Sequence, residues 1–192
     1  MISPGKSAVA PRPLTNPPAR LLHFPVRELE PPDKHALDAA IGWLALGNFT
    51  EARAELAAID PEFAHHPDVL EMRWAVLAHE QNWTAALPVA HALVRSCPDR
   101  VSGWLHFSYA LRRVPEGGLE AAWNALLPAS DKFPKEPTVL YNLACYACQM
   151  GQLEDARRWL DRALKAGERE KIKTMAMADE DLRPLWQDIR QL

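Results

Sequence analysis

Residues 140–164, LYNLACYACQMGQLEDARRWLDRAL, decide the fold. They read as two amphipathic helices joined by a tight turn at Gly151. Ala144, Ala147, Ala156 and Ala163 sit where two helices would have to cross closely, and Leu140, Leu143, Leu153, Leu160 and Leu164 fill the space between them. A hairpin of this size cannot bury its apolar face alone, so its stability demands sibling hairpins elsewhere in the chain.

The siblings are present. From Ala156 the same position recurs at Ala122, Ala86 and Ala52, at separations of 34, 36 and 34 residues. In the same register Leu153 aligns with Leu119, Trp83 and Phe49. Leu160 aligns with Leu126, Ala90 and Leu56, and Ala163 with Ala129, Leu93 and Ile59. In the first helices Leu140 falls with Trp104, Leu70 and Ala36.

A helix–turn–helix period of 34 residues, an alanine early in the second helix and a proline near the repeat end (Pro98, Pro134) resemble the tetratricopeptide repeat. The resemblance covers residues 33–167. It implies an all-α, right-handed superhelical solenoid of about four helix–turn–helix repeats, at 33–66, 67–100, 101–136 and 137–170. Residues 1–32, which hold eight of the seventeen prolines, form a tail expected to be disordered or extended. Residues 171–192 are expected to form capping helices. There DEDLRPLWQDIRQL sets Leu182, Leu185, Trp186 and Ile189 on one helical stripe. The YNLACYAC helix, the AGE turn and DLRPLW together resemble the closing segment of bacterial tetratricopeptide proteins.

In this repeat class the first helices line a concave groove. The positions implied here are Leu37, Ile41 and Leu44; Glu71, Ala75 and His79; Leu105, Tyr109 and Arg112; and Tyr141, Cys145 and Gln149. Leu105, Tyr109 and Tyr141 would together make a sizeable apolar patch, which favours binding over plain solvated surface. Some members of the family clamp the C-terminal carboxylate of heat-shock chaperones with lysines and asparagines. Leu37, Ile41, Ser102 and His106 stand at the matching positions, so that activity is not expected here.

Composition narrows the partners. A net charge of −3 supplies no basic stripe for a nucleic acid, and no apolar run reaches the ~18 residues of a membrane span. Prolines interrupt every place where a secretory signal could have its apolar core. Three cysteines make no disulfide framework, and a reducing cytoplasm is the expected setting.

Several local features carry their own expectations. Asp33 reads as the N-cap of the first helix, and Thr50 opens the second. Trp74 takes a slot held elsewhere by Ala40, Ser108 and Ala144. Ala90 replaces a leucine opposite, so the tryptophan is expected to fill the core there. With Thr84 as N-cap, Pro88 would fall in a first helical turn. Pro128 should kink or shorten its helix. Two extra residues around 114–118 belong to the turn of the third repeat. His65 and His66 read as solvated loop, since adjacent residues rarely converge on one ion. The residues 21–29, rich in leucine with Phe24 and Val26, could pack on the first repeat near Leu37, Ile41 and Leu44, or stay a mobile tail.

The sharpest chemical candidate is Cys145–Cys148, a C-x-x-C pair. Its redox form draws a low thiol pKa from the free amides of a helix N-terminus. These cysteines fall in mid-helix, and a zinc site would need two further ligands, so packing is the plainer reading. A phosphate-cradling glycine loop and the HExxH spacing are missing, and the seven histidines form no catalytic pattern. The sequence therefore predicts a binding module or scaffold for an extended or helical peptide of another protein, with no enzyme activity, cofactor or metal. The alternative is a dedicated chaperone of a secreted or assembly partner, and a thiol or metal site at Cys145 and Cys148 ranks below both. No feature of the sequence sets an oligomeric state.

Overall fold

The computed structural model describes residues 27–191. Residues 21–26, the larger part of the apolar cluster expected to dock, and the rest of the tail before them lie outside the described residues.

Every described element is helical. Four antiparallel hairpins follow one another: α1 (Asp33–Ala45) with α2 (Phe49–Ala58), α3 (Pro67–His79) with α4 (Trp83–Ser96), α5 (Val101–Leu111) with α6 (Leu119–Lys132), and α7 (Pro137–Gln149) with α8 (Leu153–Ala166). A last described unit of α9 (Arg169–Ala178), a 3-10 segment (Glu180–Leu185) and α10 (Trp186–Arg190) follows. The repeated alanines mark the close approaches. Ala52, Ala86, Ala122 and Ala156 are all fully buried, as are Ala90 one turn further on and Ala129 and Ala163 two turns further on. A larger side chain at any of them would hold the helices apart.

Three hairpins share one turn. Gly47, Gln81 and Gly151 take left-handed backbone angles (φ 72°, 56° and 76°). The next residue's N–H reaches back to the helix: Asn48 to Trp43 O at 2.8 Å, Asn82 to Leu77 O at 2.9 Å and Gln152 to Ala147 O at 2.9 Å. These bonds satisfy carbonyls that a helix end leaves without donors. Asn48 and Asn82 then cap the following helices, their side chains accepting from Glu51 N and Ala85 N at 3.2 Å. The third hairpin, with its two extra residues, turns differently: Gly118 N donates to Leu111 O at 2.9 Å.

Several local expectations give way. Asp33 does not cap its own helix; its carboxylate accepts from Asp60 N at 2.7 Å and ties α1 to the end of α2. The second helix opens at Phe49, one residue before Thr50, and because Asn82 rather than Thr84 is the cap of α4, Pro88 lies well inside that helix. Pro128 likewise lies inside α6, which runs on to Lys132. Both prolines are exposed, as are Thr84 and Asn124 one turn earlier, so the unbonded carbonyls face the solvent side. His66 is not plain solvated loop: its Nδ1 accepts from Asp68 N at 3.3 Å and caps α3.

The closing stripe is also not one helix. Pro184 falls in the 3-10 segment, and a regular α-helix begins only at Trp186. The burial pattern survives: Leu182, Leu185 and Ile189 are at most 1 % exposed against Leu140, Leu160 and Leu164. Trp186 is half-buried and donates its Nε1–H to Ala176 O at 3.0 Å. At the opposite end, Leu29 packs on the α1–α2 core, and Arg27 lies 5.0 Å from the Phe63 ring centroid and bonds Glu62 at 3.2 Å.

Candidate functional site

Helix α7 is buried on nearly every side. Residues 139–141 and 143–148 are all shielded, although a helix at the surface of a solenoid should be amphipathic. One face packs on α8 and another on α6. The third, concave face is covered by the segment after α9, which folds back across the groove.

Polar contacts fix that segment. Tyr141 donates its hydroxyl to Asp179 Oδ2 at 2.9 Å, and the Cys145 sulfur lies 3.6 Å from the same oxygen. Arg112 clamps Asp181 with both guanidinium nitrogens, Nη2 meeting Oδ1 at 2.8 Å. Gln149 Nε2 donates to the Asp181 carbonyl at 3.0 Å. Asp179 also accepts from Asp181 N at 2.9 Å, which sets the turn that presents both carboxylates.

Beside this segment opens a cleft of about 700 Å³ between α5, α7 and α9. Tyr109, Arg112, Arg113, Tyr141 and Cys145 form its inner wall, with Ile172, Met175 and Lys171 opposite. A second hollow of about 600 Å³ continues past Tyr109 and Arg113 to His79, Gln81 and Trp83. Tyr109 and Met175 are 38 % and 47 % exposed.

The twelve expected groove positions are therefore not one exposed stripe. Tyr109, Arg112, Tyr141 and Cys145 do converge on the cleft, and Gln149 touches the covering segment. Tyr141 and Cys145, however, are buried under that segment. Leu37 is buried in the α1–α2 core, and Leu44 and Leu105 pack against hydrophobic cores. Ile41 is exposed and lines a separate hollow with Arg27 and Lys34 at the N-terminal end. Glu71 accepts from Ser102 and faces Arg100 at 3.5 Å, and Ala75 is half-buried. His79 stacks on Phe49 with ring centroids 3.2 Å apart. Sequence reasoning passed over Arg113, Met175 and the Asp179–Asp181 turn. The acidic run DED at 179–181 is that turn's one legible signal, and it does not say that the segment doubles back.

Electrostatics follow from burial. The carboxylate of Asp181 raises the Arg112 guanidinium above the ordinary arginine value, whereas burial lowers that of Arg113. Burial pushes the Tyr141 and Tyr146 hydroxyls and the Cys145 and Cys148 thiols up, so all four stay protonated near neutrality. Cys145, Asp179 and Asp181 bring ligand-type atoms within 4.8 Å of one another, but Tyr141 and Arg112 already engage the two carboxylates. Replacing Cys145 and Cys148 by alanine should cost only about 1 kcal/mol per site. Stoichiometric zinc in the wild type, lost in the double variant, would contradict a packing role.

Trp74 is half-buried and belongs to none of the hydrophobic core clusters among the described residues, so the expected core filling over Ala90 gives way to contacts with the next hairpin. It stacks on His106 of α5 (3.7 Å between centroids, 7° between planes) and meets Tyr109 edge-on at 6.2 Å. Burial lowers the His106 pKa to about 4, against a partial opposing pull from Glu71. A histidine depressed in the folded state binds its proton more readily once unfolded, so stability falls as the pH falls. The loss should run from about 6.5, the unfolded value, down to about 4, and amount to roughly 3 kcal/mol, at about 1.4 kcal/mol for each pH unit. Urea unfolding of wild type and His106→Gln at pH 7 and 4.5 checks this; parallel slopes in the two proteins would contradict it.

A stack of α-hairpins with a concave cleft on its first helices is the tetratricopeptide-repeat fold. Solved structures of that type superpose on the chain. A thermophilic tetratricopeptide protein of Thermus thermophilus matches with a TM-score of 0.65 and 19 % identity over 82 % of each chain. YrrB, described as having an unusual peptide-binding site, gives 0.61 and 18 % over 77 % of this chain and 75 % of its own. Residues 41 to the end of MamA from Desulfovibrio magneticus RS-1 give 0.62 and 19 % over 70 % and 75 %. No family model and no curated protein sequence matches the chain. At these identities the likeness is one of fold.

Proposed function

We propose that this chain is a protein-interaction scaffold that takes an extended peptide of a partner in the cleft between α5, α7 and α9. One observation carries the reading: the concave face already receives a polypeptide segment, its own residues 179–181, through Arg112, Tyr141 and Gln149. Such a surface combines hydrogen-bonding side chains with aromatic walls, the means by which grooves recognise extended chains. YrrB, of like fold, is described as having a peptide-binding site, which supports the same use here. Binding rather than catalysis fits the cleft chemistry, since its buried thiol and phenol hold their protons near neutral pH. The three free, buried cysteines suit a reducing compartment. No described helix is long and apolar enough to cross a membrane.

A photo-crosslinking residue placed at Tyr109 or Met175 tests this in cells. Adducts to a partner polypeptide are expected from both positions and not from Arg158, an exposed position on α8. Equal labelling from Arg158 would refute the cleft as the binding face.

A further inference from the structure

Arg113 is the half-buried cation where the two hollows meet. Its neighbour Arg112 is fully engaged by Asp181, but among the described residues no carboxylate forms an ion pair with Arg113. Its guanidinium lies 3.3 Å from the ring centroid of Tyr109 and 5.1 Å from that of Trp83. One nitrogen, Nη1, donates to Tyr109 O at 3.0 Å. A guanidinium carries five N–H donors in a planar fork, so most of this one's hydrogen-bonding capacity has no protein acceptor. A half-buried cation of this kind gains much from an acidic partner that shares its partly desolvated position.

Its place in the groove specifies the occupant further. Arg113 and Tyr109 line both hollows, so a chain lying across the two passes directly over them. The side towards His79, Gln81 and Trp83 is lined by no acidic residue, while the larger cleft carries Asp179, Asp181 and Glu168. On the Trp83 side of Arg113 a carboxylate therefore meets no like charge in the lining, whereas on the other side Asp179, Asp181 and Glu168 compete with it for Arg112, Arg113 and Lys171. Apolar residues of the same chain would lie over Tyr109, Ile172 and Met175.

Resting on the peptide-binding reading above, we infer that the partner is an acidic-and-apolar peptide whose aspartate or glutamate side chain pairs with Arg113 between Trp83 and Tyr109. The Arg112–Asp181 pair, one residue away, displays the same recognition within the chain. A nucleic-acid strand is the other polyanion to consider. The larger cleft balances Arg112, Arg113 and Lys171 against three carboxylates, and a chain of net charge −3 offers no basic stripe for its continuous backbone charge.

Selection of a random-peptide display library on the full-length protein, on Arg113→Gln and on Arg113→Lys tests the inference. Circular dichroism and melting curves establish that each variant is folded. The wild type should enrich peptides with one aspartate or glutamate beside apolar residues. Arg113→Gln should lose the acidic preference while still retaining apolar peptides, and Arg113→Lys should keep it in weakened form. A synthetic peptide from the wild-type pool should bind Arg113→Gln about tenfold or more weakly, the weight of one charge-assisted bond. Acidic enrichment unchanged in Arg113→Gln, or enrichment of neutral peptides alone, overturns the role of Arg113 and leaves peptide binding standing. Retention of no peptide by the folded wild type overturns both readings. Tighter binding of labelled oligothymidylate than of any selected peptide, lost in Arg113→Gln, would reassign the site to nucleic acid.

Discussion

A chain ended at Ala178 should melt far below the full-length protein and expose apolar surface to a hydrophobic dye. The truncation removes Leu182, Leu185 and Ile189, none more than 1 % exposed. Each such side chain is worth about 1.5–3 kcal/mol when buried, against the ~5–15 kcal/mol that holds a typical domain together. It also uncovers Leu140, Tyr141, Leu160 and Leu164, and leaves Arg112 without its carboxylate. Leu182→Ala isolates the packing part and should cost about 2–5 kcal/mol by urea unfolding. Equal midpoints for the full-length and shortened proteins would show that the segment is not part of the folded unit.

Gly117→Ala should be the most damaging alanine substitution among the described glycines. A Cβ there would stand 1.8 Å from the Leu111 carbonyl oxygen and 3.0 Å from Val114 Cγ2. That carbonyl is the acceptor for Gly118 N, so it cannot turn aside without undoing the turn. The expected loss is about 3 kcal/mol or more, the scale on which buried backbone clashes register. Gly47→Ala is the control. Its Cβ would meet open space, so only the left-handed backbone at φ 72° is penalised, by about 1 kcal/mol. Equal midpoints for the two variants would contradict the close approach at Gly117.

The repeat was legible because packing at a helix crossing admits few residues. Ala52, Ala86, Ala122 and Ala156 sit at the tightest points, and tight points constrain side-chain size at a fixed spacing. Capping was less legible, because Asn48 and Thr50, or Asn82 and Thr84, are both chemically able to cap. Only the turn geometry chooses between them. Gln81 hid a turn that a glycine announces at Gly47 and Gly151, since its left-handed angle leaves no trace in its residue type. The site was legible only in part. Tyr109, Arg112, Tyr141 and Cys145 follow from helical spacing, a local property. That Asp179 and Asp181 return to meet them is a long-range contact, 69 residues from Arg112 to Asp181, and no periodicity encodes it.

The sealed C-terminal end also governs how copies of this chain could assemble. Stacking repeats invite end-to-end growth, in which the last hairpin of one copy continues into the first of the next. Unending filaments need two unlike, complementary ends on each subunit. Here the last hairpin spends its stacking surface on Leu182, Leu185 and Ile189, while the first still shows Ile41 and Leu46 at 45 % and 77 % exposure. A joining of α1 to α1 would bring like against like, close on a two-fold axis, and stop at a pair.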